Sequence, residues 1–371
     1  VAISRLFPGP FQKTSRWVDL PEEGLGALFV QESGSHLGRR GENPRALILA
    51  PFDRSHLAAL SQTIEVSHES WMDTRRLYDP EELASRLRDE DIPILVVEAD
   101  FVFEEVFQGA PSLRFVGICR SSTSQVDLDA ATLHGVLVVN TPGRNAQAVA
   151  EHALGLMLSL ARRIPTAHRY ITDGRWRDPV EPYLSMRGIE LAGRTIGLIG
   201  LGAIGRRLAS MASALGMKPL AYDPYASGAP VGVRLTDLDS LLAEADFVSV
   251  HVPHTPETEG LIDARRLGLM KATAYLVNLS DAAIIEEEAL VAALREQRIA
   301  GAALDVFETH PIMPTSPLLS LDNVVLTPHL GGATEETIER HSKLMAEEIQ
   351  RFLQGQRPKN LVNPEAWSPG D

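Results

Sequence analysis

From Arg45 onward, short apolar runs alternate with amphipathic stretches. The runs at 46–50, 64–66, 94–97, 114–118 and 137–139 predict buried strands. Between them, 55–60, 80–89 and 101–107 carry helical patterning. Asp79-Pro80-Glu81-Glu82 opens the middle one with proline in the first turn and acids near the positive end of the helix. Such alternation predicts an α/β domain with a parallel sheet. Residues 146–161 then read as a helix that is apolar on nearly every side, which is the pattern of a buried helix. The segment 164–189 is polar, with Trp176 and Tyr183 as isolated aromatics, and predicts an arm over another surface such as a second subunit.

The alternation resumes at 195–199. There an apolar run leads into Gly200, Gly202 and Gly205, a G-x-G-x-x-G, and then into a helical pattern with Leu208, Met211, Ala212 and Leu215. Strand, glycine turn and helix in this order form a dinucleotide site. Gly200 permits the tight turn, Gly202 lets a pyrophosphate approach the backbone, and Gly205 lets helix and strand pack closely. The positive end of the helix faces the phosphates. A second run, 219–222, ends in Asp223, 18 residues after Gly205, where an acid binds a ribose 2′-hydroxyl. An acid there repels a 2′-phosphate, so the reading is NAD rather than NADP. Further strands at 247–250, 275–278, 301–304 and 324–326, with helices at 235–243, 264–269 and 286–296, complete a doubly wound domain. The last helix, 335–353, is expected to return to the first domain and make it discontinuous.

The predicted class is therefore α/β, with two Rossmann-like domains built on doubly wound parallel sheets. The expected layout is an extension at 1–43, a discontinuous substrate domain at 44–145 and 331–366, and an NAD-binding domain at 146–330. The extension is broken by glycines and prolines and carries no legible chemistry.

Composition narrows the function without naming it. The 371 residues are 44% hydrophobic and 23% charged, as in globular proteins. A net charge of −14 argues against nucleic acid or an anionic membrane as partner. There is no apolar run of about 18 residues, so no membrane span is expected. The single cysteine, Cys119, excludes an intrachain disulfide, and the first residues lack a signal-peptide pattern. A cytoplasmic protein acting on a small molecule is expected.

Several stretches together resemble the D-isomer-specific 2-hydroxyacid dehydrogenases, the family that includes phosphoglycerate dehydrogenase. They are V-V-N-T-P-G-R-N-A-Q-A-V-A-E-H-A-L (138–154), G-L-I-G-L-G-A-I-G (197–205), H-V-P-H-T-P-E-T-E-G-L-I (251–262), A-L-D-V-F-E (303–308), T-P-H-L-G-G (327–332) and N-L-V-N-P-E (360–365). The resemblance covers about 45–366. It implies two domains with a cleft between them, a homodimer built from the helix and arm after Ala146, and hydride transfer between NAD and a 2-hydroxy or 2-oxo acid. The implied cofactor contacts are Gly200, Gly202, Ala203, Ile204, Gly205, Asp223, Pro253, Asn278 and Asp305. Asp305 matches a position near the nicotinamide amide, or equally caps a turn.

By this resemblance His329 is the general acid/base. Imidazole titrates near neutrality and exchanges a proton in both directions. Glu308, in D-V-F-E, matches the carboxylate that orients it, fixing the tautomer and raising the imidazole pKa. The third residue of the family's set, an arginine in V-N-x-x-R-G-x-x-V-D-E-x-A-L, is missing. Here the stretch reads V-N-L-S-D-A-A-I-I-E-E-E-A-L, with Asp281 at the arginine position and Ala282 at the following glycine. In the family that arginine holds the substrate carboxylate. An aspartate repels it, by about 4 kcal/mol for two charges near 4 Å at an effective dielectric of 20.

The substrate loop departs too. One branch of the family reads C-R-G-G-P-V-N-V-D, and this chain reads C-R-S-S-T-S-Q-V-D. Ser121 and Ser122 replace both glycines, as drift or as new hydroxyl contacts. Arg120 and Arg144 remain as cations for a substrate.

The sequence thus predicts an NAD-dependent oxidoreductase on a non-standard substrate. The alternatives are an enzyme that uses NAD without net redox, through transient oxidation with elimination, hydrolysis or epimerisation, and a non-catalytic NAD-binding interaction protein. Asp281, Glu308 and His329 are ligand types for a hard metal, but their spacing supports none, and no metal is expected.

Overall fold

The computed structural model describes residues 43–368, so the expected extension at 1–43 lies almost wholly outside the described residues. The chain divides into two compact units. One is Asn145–Ala333, and the other takes the described residues through Arg144 together with those from Thr334 onward.

The second of these units holds β1 (Arg45–Ile48), β2 (Glu65–His68), β3 (Ile94–Val97), β4 (Phe115–Ile118) and β5 (Leu137–Asn140). They form a five-stranded parallel sheet in the order β2-β1-β3-β4-β5. Successive side chains leave a strand on opposite faces. Leu47, Leu95, Val97 and Val116 therefore meet Leu83, Leu87 and Phe107 on one face. Ile48, Val96, Phe115 and Val139 meet Met345 and Ile349 on the other. Those last two belong to helix Glu335–Leu353, which packs on this sheet.

The unit Asn145–Ala333 holds β6 (Thr195–Ile199), β7 (Lys218–Tyr222), β8 (Arg234–Leu235), β9 (Phe247–Val250), β10 (Tyr275–Asn278), β11 (Gly301–Leu304) and β12 (Val324–Leu326). Their order is β12-β11-β10-β9-β6-β7-β8, all parallel. The chain runs outward from β6 through β7, then reverses to β9 on the other side. That reversal is the topological switch point where open α/β sheets bind ligands. Helices Ala146–Ala161 and Ala203–Ala214 cover one face, and Leu238–Glu244 with Glu287–Arg295 cover the other.

Some elements differ from expectation. The helix expected at 101–107 is Glu104–Gly109, because Val102 instead bridges Val126 and its N–H bonds the Gln125 carbonyl. The strand expected at 64–66 is Glu65–His68. Leu235 ends β8, and the next helix starts at Leu238 after Asp237 caps the Ser240 N–H. The arm contains two helices, Ile164–Thr172 and Val180–Ser185. A helix at Leu128–Leu133, capped by Asp127, has no counterpart in the expected elements. Among the described residues no helix is long and apolar enough to cross a membrane.

Candidate active site

The glycine turn leaves β6 at the switch point. Gly200 has φ +97°, and a Cβ there would lie 2.7 Å from the His251 carbonyl oxygen. A Cβ at Gly205 would collide with the Gly200 carbonyl, so helix and turn touch backbone to backbone. Gly202 differs from both: it is exposed and has nothing within 4 Å of the Cβ position. It is also the N-cap of helix Ala203–Ala214, which no side chain caps. An open approach and uncapped amides at a helix N-terminus are what a pyrophosphate needs. The amides following Gly202, at Ala203 and Ile204, would hold it. Asp223 stands at the end of β7, where its Oδ2 accepts the Leu201 N–H at 2.8 Å and its Oδ1 the Tyr225 N–H at 2.9 Å. The acid is thereby tied to the glycine turn.

At the end of β10, Asn278 is buried and shapes the next turn. Its Nδ2 donates to the Asp281 carbonyl at 2.8 Å, and its Oδ1 accepts the Ser280 N–H at 3.0 Å. Ser280 Oγ donates to the Val252 carbonyl, beside Pro253, and so joins this turn to the loop after β9. Asp281 is half-buried, and its Oδ1 accepts the Ala283 N–H at 2.9 Å. Its Oδ2 has no hydrogen-bond partner among the described residues.

Beyond β11, Asp305 is 1% exposed. Its Oδ1 accepts the Thr327 hydroxyl at 2.5 Å and the Leu330 N–H at 2.8 Å, and its Oδ2 accepts the Gly331 N–H at 2.7 Å. His152 Nε2 lies 3.1 Å from Thr327 Oγ1. Since the threonine proton goes to Asp305, the ring N–H donates to the hydroxyl. Asp305 is thus the anchor of the loop that carries His329. That residue adopts φ +55°, in the left-handed region, and its ring is exposed. A non-glycine residue there persists when its surroundings hold it, and the Asp305 bonds on either side do so. The His329 ring lies 5.2 Å from that of His310. Glu308 is exposed, and its charge, after burial itself, helps to raise the pKa of Glu287.

In the other unit, Arg144 is committed. Its Nη2 pairs with Glu98 Oε1 at 2.6 Å, and its Nη1 donates to His341 Nδ1 at 2.8 Å. Trp71 Nε1 donates to the other Glu98 oxygen at 3.1 Å. Arg120 has no side-chain hydrogen bond or ion pair among the described residues. Burial lowers its pKa, opposed by Glu98 and aided by Arg144. Ser121 Oγ accepts the Gly143 N–H at 3.2 Å, and Ser122 Oγ lies 3.1 Å from Ser124 Oγ.

Comparison with known proteins agrees with this architecture. Residues 154–331 match the model of the D-isomer specific 2-hydroxyacid dehydrogenase NAD binding domain. The chain is 41% identical to a glyoxylate reductase of Thermofilum pendens, over 87% of its own length and 95% of the relative's. It is also 41% identical to a D-3-phosphoglycerate dehydrogenase of Archaeoglobus fulgidus, of which it spans 52%. A solved acyclic imino acid reductase in complex with NADPH and D-Arg superimposes with a TM-score of 0.74 at 26% identity, covering 86% of this chain and 99% of that one. The chain belongs to the D-isomer-specific 2-hydroxyacid dehydrogenase family. It is accordingly an oxidoreductase of the dehydrogenase type that uses a nicotinamide dinucleotide.

Within this family member, the structure distributes the predicted residues unevenly. Gly200, Gly202, Gly205 and Asp223 meet in one turn. Asp305 and Asn278 spend their polar atoms on the backbones that present His329 and Asp281. Sequence reasoning missed His310. It sits two residues after Glu308, and the only signal was an imidazole so near that carboxylate.

Proposed function

We propose that this chain is an NAD-dependent oxidoreductase whose substrate is not a simple 2-oxo or 2-hydroxy acid. The observation that carries the reading is Asp281, a half-buried carboxylate at the end of β10 with one oxygen uncommitted among the described residues. Such a group accepts a hydroxyl or amine proton, or pairs with a cation, and repels a carboxylate. Arg120, which has no side-chain hydrogen bond or ion pair among the described residues, is the candidate for an anionic part of the substrate, while Arg144 is already neutralised by Glu98. Ser121 and Ser122 add hydroxyls in the same loop. The related imino acid reductase, solved with D-Arg, makes amine- or imine-bearing substrates the first class to test.

When bound, a reduced nicotinamide supplies the hydride. The chain's own part is the proton, which His329 delivers to the carbonyl oxygen or imine nitrogen and takes back in the reverse direction. Glu308, in the connection from β11 to β12, is the carboxylate proposed to orient His329. Asp223 favours NAD, since a 2′-phosphate beside it would set like charges together. The exposed apolar side chains of the arm support a homodimer.

The test is an absorbance assay of the full chain with NADH or NADPH against glyoxylate and other 2-oxo acids, with and without ammonium, and against ketones and aldehydes. NADH is expected to be preferred, with little turnover of 2-oxo acids alone. Asp281→Arg with Ala282→Gly should raise glyoxylate reduction at least about tenfold, since that needs only about 1.4 kcal/mol of recovered binding. Wild-type kcat/KM for glyoxylate above about 10⁴ M⁻¹s⁻¹ would show that Asp281 is no barrier.

A further inference from the structure

The loop that follows β12 takes its shape from one threonine. The Thr327 N–H donates to the Leu304 carbonyl at 3.0 Å, and its own carbonyl accepts the His329 N–H at 3.0 Å. Its hydroxyl donates to Asp305 Oδ1 at 2.5 Å. That carboxylate takes the next two N–H groups of the loop, Leu330 at 2.8 Å and Gly331 at 2.7 Å. Thr327 thus holds the His329 N–H directly, and through Asp305 the two N–H groups that follow it. From the other side His152, on helix Ala146–Ala161, donates its Nε2–H to the Thr327 hydroxyl at 3.1 Å and stands 3.5 Å from Asp305 Oδ1. We propose that Thr327 is the positioning residue of His329, and that His152 directs the Thr327 hydroxyl toward Asp305. The functional meaning rests on His329 being the acid/base group, as above.

His329 stands at φ +55°, where a non-glycine backbone stays only if its surroundings hold it. The holding group, Asp305, is 1% exposed, so a donor taken from it is not replaced by bulk water. A hydroxyl that receives an N–H bond from His152 keeps its proton for the carboxylate, and the three groups polarise one another. Without the hydroxyl, Asp305 has only the two loop amides to fix its orientation, and those amides are the groups it must fix. Displacing a reacting group by about 1 Å can cost about a hundredfold in rate. This role differs from that of Glu308, which is proposed to orient the His329 side chain. Thr327, Asp305 and His152 act on its backbone. Their loss should therefore lower the rate while leaving cofactor and substrate affinity in place.

The first test needs no substrate. Hydrogen exchange of the full chain, read by mass spectrometry, is compared for wild type, Thr327→Val and Thr327→Ser. Valine keeps the shape of threonine and removes the hydroxyl, whereas serine keeps the hydroxyl. In Thr327→Val the amides of 329–333 should exchange at least about tenfold faster, with β9, β10 and β11 protected as in wild type. Thr327→Ser should restore protection. The second test uses NADH and the carbonyl or imine compound that the absorbance assay finds. Thr327→Val should lower kcat at least about thirtyfold, with KM and the NADH Kd within about threefold of wild type. Serine should recover most of the rate. His152→Leu, which leaves Thr327 in place, should shift exchange and kcat in the same direction by less, and it decides the matter should Thr327→Val lose protection throughout. Unchanged protection of 329–333 in both variants, or serine behaving as valine does, overturns the proposal. Lost protection in Thr327→Val, with no compound turned over by wild type, would instead refute the acid/base reading and leave the hold on the loop standing.

Discussion

Arg120 and Arg144 are equal cations on paper and different objects in the fold. Arg144 is held between Glu98 and the Nδ1 atom of His341, whereas Arg120 has no side-chain partner among the described residues. Nothing in the local sequence distinguishes them, because Glu98 and His341 are remote along the chain. His341 has a further consequence. Its Nε2–H donates to the Pro51 carbonyl at 2.7 Å, so Nδ1 is the acceptor for Arg144 and the ring is neutral. Burial, with the Arg144 charge, lowers its pKa from 6.5 to about 4. The unfolded chain takes up this proton as pH falls below 6.5, and the folded protein resists until about 4. Stability from this ring is thus complete above the upper value and declines toward the lower one, by about 3 kcal/mol across the interval. Urea unfolding should show roughly 2 kcal/mol of this loss by about pH 5. His251, lowered to about 4 by burial, acts in the same direction, so the wild type is compared with His341→Gln. The variant should be less stable near neutrality and lose less on acidification. An identical pH slope in the two proteins would exclude His341 as the source.

At the scale of elements, much of the fold was legible because parallel strands buried on both faces need unbroken apolar runs. Ile94–Val97, Phe247–Val250 and Gly301–Leu304 fall where the sequence places them. Leu128–Leu133 was not legible, being one short turn-and-a-half with Asp129 and Thr132 inside it, and neither was the two-residue β8. The glycine turn was legible as a motif, and the structure adds which glycine serves the fold and which the ligand. Gly205→Ala places a methyl group against the Gly200 carbonyl and should cost about 1–3 kcal/mol of stability. Gly202→Ala points its methyl into open space, so its unfolding free energy should stay within about 1 kcal/mol of wild type. That methyl nonetheless occupies the expected path of the pyrophosphate. NADH titration of the Gly202→Ala protein should show at least about tenfold weaker binding. Wild-type affinity in that variant would mean that the dinucleotide does not approach over Gly202.

Across the described residues, several exposed large apolar side chains are gathered in one segment. Ile164, Ile171, Trp176, Val180, Tyr183 and Leu184 are all between 52% and 75% exposed, and all fall in the arm. Ile171, Trp176 and Tyr183 also line a cavity of about 700 Å³ in this segment. Monomeric proteins rarely leave such a patch to water, and a larger one marks an interaction surface. The helices that carry it are short and have no buried residues of their own, so little within the unit holds them. A second copy of the chain offers an identical patch, and a twofold contact needs no other partner. With a net charge of −14, apolar contact rather than charge must drive the association. Sedimentation velocity at about 10 μM should therefore find a dimer, as expected for interfaces of ordinary size and affinity. Trp176→Asp with Tyr183→Asp should shift it to monomer, since each carboxylate would be desolvated at the contact. Both side chains are exposed, so urea unfolding of the monomeric variant should still show a cooperative transition. A wild-type monomer at that concentration, or a variant that stays dimeric, would place the subunit contact elsewhere or remove it.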